Sequence, residues 1–157
     1  MAKWRFFFFF LWIAGLAIMP AAWSAQLQTF ERSDVLIETS SGSHEIAVDL
    51  AVSPDQRAQG LMFRQELGKD EGMLFLYPSD RIATMWMKNT LIPLDMLFIA
   101  ADGRVVRITE RTVPQSTETI SSEEPVRAVL ELNGGTAARL GIEAGAVVRL
   151  PASAATN

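Results

Sequence analysis

Apolar residues alternate with polar or small ones in two neighbouring segments, Val35-Leu-Ile-Glu-Thr39 and Glu45 to Val52, joined by Ser40-Ser-Gly-Ser43. A period of two sends successive side chains to opposite faces. The stretch therefore predicts a β-hairpin whose buried face is Val35, Ile37, Ile46, Val48, Leu50 and Val52. Ser53-Pro54-Asp55-Gln56 then reads as a helix start, with Ser53 as cap, Pro54 at the first helical position and Gln56 at capping-box spacing. This helix is expected to run past Arg57 toward Gln65, with Gly60 as its weak point. Met73 to Leu76, bounded by Gly72 and Pro78, and Ala83 to Met87 read as two separate short strands. Leu94 to Ala100 and Arg104 to Glu110 form a second hairpin around Asp102-Gly103, a type I′ turn signal. Thr112 to Pro125 is polar and reads as a loop, long for a compact domain. A strand over Arg127 to Leu132 follows. Thr136 caps a short helix, Ala137 to Leu140, that Gly141 stops, and Ala146 to Leu150 is the last strand. Eight short strands and two short helices predict one mainly β domain over residues 26–150, a small β-barrel or β-sandwich, with a disordered tail at 151–157.

Composition matters most at the front. Five of the nine Phe and three of the four Trp fall within residues 1–25. Lys3 and Arg5 precede an apolar run from Phe6 to Met19, Pro20 breaks it, and small residues follow, which is the pattern of a signal peptide cleaved after Ser24 or Ala25. The expectation is a periplasmic or secreted protein. The alternative is an uncleaved inner-membrane anchor over residues 6–23, in which case the membrane contact is through the leader alone. Without the leader, 12 basic side chains face 18 acidic ones. That balance argues against a nucleic-acid partner, which normally selects a basic face. The absence of cysteine excludes disulfides, thiol catalysis, iron–sulfur clusters, Cys-ligated zinc and a lipid-anchored form.

Several segments carry a family resemblance. Arg57-Ala-Gln-Gly60-Leu61-Met62-Phe-Arg64, Gly72-Met73-Leu74-Phe75, Trp86-Met87-Lys88-Asn89-Thr90-Leu-Ile-Pro93-Leu94-Asp95, and Val129-Leu130-Glu131-Leu132 followed by Ala138-Arg139-Leu140-Gly141-Ile142 resemble the signature of the domain of unknown function 192 family. The likeness runs from about Glu45 to Leu150. It implies a compact, mainly β domain, often behind an export signal, with no settled activity. Glu143-Ala-Gly145-Ala146 departs from it, because the family tends to place Asp after that Gly.

The densest polar and aromatic stretch is Met85-Trp86-Met87-Lys88-Asn89-Thr90, with Asp95 five residues on. In a strand, Met85 and Met87 point one way and Trp86 and Lys88 the other. Two readings follow. Trp86, the one tryptophan beyond the leader, is the floor of a carbohydrate or small-polar-ligand site, with Lys88, Asn89, Thr90 and Asp95 around it and Arg64 and Glu131 completing it. Alternatively Trp86 is core, Asn89 shapes a turn and Lys88 pairs with Asp95. Arg57 and Arg64, seven apart, would share a helix face and could meet Glu66 and Glu131 in an ion-pair network or anion clamp. Glu131 lies in an apolar strand; facing inward, it calls for a partner, and an Arg is the obvious one.

Other chemistries find thinner footing. Met85 and Met87 offer two thioethers that suit Cu(I), which would make the chain a periplasmic copper handler; Met also packs irregular cores. Asp95 and Glu131 could serve a carboxylate-based hydrolase. His44, expected in a hairpin turn beside Ser43, is the sole His for Ser–His chemistry, and no Gly-x-Ser-x-Gly elbow accompanies it. Single scattered glycines form no phosphate cradle, and no cofactor is implied. The expected function is thus an exported binding or accessory module for an unidentified small ligand or envelope component, with no assigned catalytic residue.

Overall fold

A computed structural model describes residues 27–151. The leader, with its two cleavage points or its alternative as an anchor, and the tail beyond Pro151 lie outside the described residues. The alternating segments form the hairpin β1 (Glu31–Thr39) and β2 (Gly42–Ala51) around Ser40-Ser41. Val35, Ile37, Ile46, Val48 and Leu50 are buried as expected, but Val52 is exposed. The strand ends one residue earlier, at Ala51, where the chain turns into helix α1 (Pro54–Gln59). The Ser53–Gln56 capping box is present. The helix does not reach Gln65: Gly60 ends it with φ 50°, and a Cβ there would lie 3.0 Å from the Phe75 ring.

The two strands expected on either side of Pro78 are one long strand, β3 (Glu71–Met85). Its pairing with β6 jumps from Leu76–Ala128 to Arg81–Val126, so Pro78 lies in an unpaired bulge where its missing N–H costs nothing. β4 (Leu94–Ile99) and β5 (Val105–Thr109) form the second hairpin. Its turn is not type I′, since of Asp102 and Gly103 only Gly103 has positive φ. The polar segment expected as a loop through Pro125 becomes strand from Ile120, the start of β6 (Ile120–Asn133). A bulge absorbs its polar residues there: Glu123 has φ 63°, and the buried Ser122 hydroxyl accepts from Ala83 N and donates to Glu124 O. Helix α2 (Thr136–Leu140) follows, and Gly141 ends it as expected. Thr136 does not cap it; Gly135 occupies that position. The chain closes with β7 (Val147–Arg149).

Seven strands, rather than eight, form one curled sheet in the order β5-β4-β6-β3-β2-β1-β7, a half-barrel. Its two ends meet at an Arg104–Val147 bridge, with Val148 N donating to Gly103 O. Gly103 permits this seam, because a Cβ there would stand 2.6 Å from Val148 O. One sheet face packs Val35, Ile37, Val48, Leu74, Leu97 and Leu130 with Ala137 and Leu140 of α2. The other packs Met73, Phe75, Tyr77, Met85, Met87, Met96 and Phe98 beneath Leu61 and Leu67. β4 serves both faces and is buried throughout, as its apolar residues Leu94 and Met96 to Ile99 require, with Asp95 the one charged residue among them. No helix among the described residues is long and apolar enough to cross a membrane.

Candidate functional site

The end of β3 alternates as its sequence dictates: Ile82, Thr84, Trp86 and Lys88 are exposed, while Ala83, Met85 and Met87 are buried. Trp86 is 46% exposed, so the core reading of this residue fails. The Lys88 ammonium lies 5.2 Å from the Trp86 ring centroid and does not pair with Asp95. Asn89 adopts φ 56° and Phe63 opposite it φ 66°; Phe63 N donates to Asn89 O, and the Asn89 amide reaches Met62 Sδ at 3.8 Å. Two residues outside the usual backbone regions, locked to one another, fix the loop that follows Trp86. Buried Thr90 donates from its main chain to Met87 O and accepts from Gln115 N, while Met87 N donates to Ser116 O. The polar segment after β5 therefore clamps the Trp86 loop in place.

Trp86 forms part of the wall of a groove of about 350 Å³ with Pro54, Arg57, Phe75, Tyr77, Arg81, Thr84 and Met85. The Arg57 and Arg81 guanidiniums stand 5.6 and 5.4 Å from the Tyr77 ring centroid. Arg57 is held by main-chain carbonyls of Val52 and Leu76. Burial raises the Tyr77 phenol above its ordinary value, and its hydroxyl contacts Met85 Sδ at 3.6 Å. A deeper notch adjoins the groove, about 20 Å³, room for roughly one water. Gly60, Leu61, Met62, Trp86, Lys88, Thr90 and Glu131 are among its lining residues.

Glu131 is 3% exposed, and burial pushes its carboxyl up to about 8. The register explains why it lacks the Arg partner expected of it. Across the sheet it lies between Met73 and Met96, and the Arg64–Asp49 pair is on the far side of Met73. Arg64 therefore belongs to a separate network, in which Arg32 also reaches Asp49 at 3.5 Å and Glu71 at 2.9 Å. It shares no helix face with Arg57, because α1 ends before it, and exposed Glu66 joins neither.

Asp95 also leaves the expected site. It is fully buried and accepts from Arg111 N at 2.8 Å, Gly135 N at 2.9 Å and Ala137 N at 2.8 Å, supplying the cap that Thr136 was expected to give α2. Asp95 pairs with Leu132 and Glu131 with Met96, so the two carboxyls project from opposite faces of the sheet. This placement removes the paired-carboxylate hydrolase arrangement. His44 is in strand β2 opposite Ile37, past the turn in which it was expected. Met85 and Met87 do share the buried face; Met87 Sδ contacts the Thr112 hydroxyl at 3.1 Å.

The structure thus brings together Trp86, Lys88, Thr90 and Glu131, with Asn89 shaping the rim, and excludes Arg64 and Asp95. Tyr77, Arg81 and Arg57 as a groove element were not foreseen. They flank or face the Pro78 bulge, which reads in sequence as a break between strands. The one Tyr of the chain with an Arg four residues on was the available signal.

The family model DUF192, described as "Uncharacterized ACR", matches residues 36–150. The chain belongs to this family. It is similar to the crystal structure of a candidate transcription regulator from Sinorhizobium meliloti 1021, at 48% identity and TM-score 0.76 over 79% of this chain and 97% of that one. It is also similar to a protein of unknown function from Novosphingobium aromaticivorans DSM 12444, at 44% identity and TM-score 0.74 over 76% and 85%. No curated protein matches the chain. The groove residues Arg57, Tyr77, Arg81, Trp86 and Lys88, and Glu131 below them, all lie within the DUF192 match.

Proposed function

We propose that this DUF192 protein is an exported binding or accessory module that recognises a small polar ligand of carbohydrate type in the groove beside Trp86. One observation carries the reading: the domain's single tryptophan, instead of filling the core, is nearly half exposed on the wall of a groove that also holds Tyr77, Arg57 and Arg81. An indole face stacks on the apolar face of a sugar ring, and polar groups around it fix orientation. The Glu131 carboxyl at the notch, which carries its proton at neutral pH, both donates to and accepts from a hydroxyl. Export follows from the leader. The regulator description of the Sinorhizobium protein is not carried over, because the acidic balance of this chain disfavours a phosphate backbone.

The test is calorimetric titration of the protein with a panel of neutral and acidic mono- and disaccharides and cell-wall fragments, repeated on Trp86→Ala. Binding by the wild type that the variant loses supports the site. No heat from any member of the panel, or equal heat from both proteins, overturns it.

A further inference from the structure

Acidic side chains outnumber basic ones in this chain, 18 to 14. An arginine or lysine therefore has carboxylates to spare as partners. Seven arginines use them: Arg32, Arg64, Arg104, Arg107, Arg127, Arg139 and Arg149 each form an ion pair. Among the described residues, Arg57, Lys69, Arg81, Lys88 and Arg111 do not. Three of these five unpaired cations, Arg57, Arg81 and Lys88, line the groove and its notch. Each rests on or beside an aromatic ring instead of a carboxylate, at 5.2 to 5.6 Å from the centroid. The one acid in the same place, Glu131, adds no negative charge at neutral pH, since burial pushes it up to about 8.

An acidic protein that gathers three of its five unpaired cations at one concave aromatic site makes that site locally attractive to an anion. We infer that the groove takes an anionic saccharide, with the sugar ring on Trp86 and the acid group, a carboxylate or a phosphate, met by Arg81 and Lys88. The inference rests on the reading of the groove as a saccharide site and narrows it. Arg81, stacked on Tyr77, keeps its in-plane N–H groups available for bidentate pairing. Lys88 exchanges its contact with the indole face for the arriving anion. That movement uncovers the ring for stacking. Arg57, tied to Val52 and Leu76 carbonyls, acts through its charge. The groove volume, about 350 Å³, is at the lower end for small-molecule sites and suits one or two sugar units.

The experiment is calorimetric titration of the protein with digalacturonate, glucose 6-phosphate, maltose and inorganic phosphate, at low and high salt, for wild type, Arg81→Gln and Lys88→Gln. The expected result is binding of the digalacturonate or the sugar phosphate, weakened by added salt and by roughly tenfold in each variant, as for loss of one charge-assisted bond. Which of the two binds assigns the acid group. Maltose binding as tightly as the acidic sugars, with no effect of either variant, overturns the anionic preference and leaves the saccharide site standing. Inorganic phosphate matching the sugar phosphate, with no digalacturonate binding, overturns the saccharide part. No binding of any of the four overturns the inference together with the site.

Discussion

Glu131→Gln is expected to stabilise the protein, increasingly so as pH rises. The wild-type carboxyl is buried between Met73 and Met96 and is pushed from 4.5 to about 8 by burial alone. Below pH 4.5 both folded and unfolded chains hold the proton, and the substitution changes little. Above it the unfolded chain ionises at this position while the folded chain does not. The wild type therefore loses stability progressively until the folded carboxyl also ionises near pH 8. At 1.36 kcal/mol per decade of proton concentration, the difference reaches about 3 kcal/mol at pH 7 and about 5 kcal/mol at pH 9. The glutamine side chain has nearly the same volume and never ionises, so the variant carries none of this penalty. Urea unfolding of both proteins at pH 4, 7 and 9, followed by far-ultraviolet circular dichroism, measures the gap. A gap that grows with pH supports a neutral buried acid at the notch. Parallel stability profiles, or a variant less stable than wild type at pH 9, refute it.

Asp95→Ala strips three main-chain N–H groups of their acceptor, Gly135 and Ala137 at the start of α2 and Arg111 after β5, and is expected to cost about 3 kcal/mol, read from the urea midpoint. Gly103→Ala places a Cβ against Val148 O at φ 85°; it is expected to cost about 2 kcal/mol or more and to lower the thermal midpoint. Ser53→Ala removes half of the capping box and is expected to cost about 1 kcal/mol by the same unfolding assay. Trp86→Ala, at an exposed position, is expected to change stability by less than about 1 kcal/mol while abolishing saccharide binding, so that unfolding and titration separate the two roles.

Local rules made the β1–β2 hairpin and the α1 start legible, because alternation and the Ser53–Gln56 box act within a few residues. Where the sequence reading broke down, a tertiary contact had replaced the local one. Pro78 signals a strand end, yet the partner strand accommodates it in a bulge. Thr136 has the chemistry of a cap, yet Asp95 delivers a better one from 40 residues away. Thr112 to Pro125 has the composition of a loop, but Ser122 Oγ bonds to Ala83 N and Glu124 O and carries its second half into β6. For the site, the spacing from Met85 to Thr90 was informative because strand alternation decides which side chains face outward. Asp95 was drawn in by proximity in sequence and Arg64 by an expected helix face shared with Arg57; register sends Asp95 to the opposite face, and α1 ends before Arg64, which pairs with Asp49. For Tyr77 and Arg81 the sequence offers their four-residue spacing alone, since it is the tertiary placement of Arg57, bonded to Leu76 O, that brings a second cation against the same ring.

Trp86 and the cations beside it are proposed to form a ligand site. An amide and indole nitrogen-correlation spectrum of the ¹⁵N-labelled protein, titrated with digalacturonate and with glucose 6-phosphate, tests it residue by residue. One of them is expected to shift the Trp86 indole N–H, with the next largest changes at Gly60, Arg81 and Lys88 and none at Arg64 or Asp95. An indole signal unmoved by both ligands, or shifts centred on the Arg32–Asp49–Arg64 network instead, would contradict it.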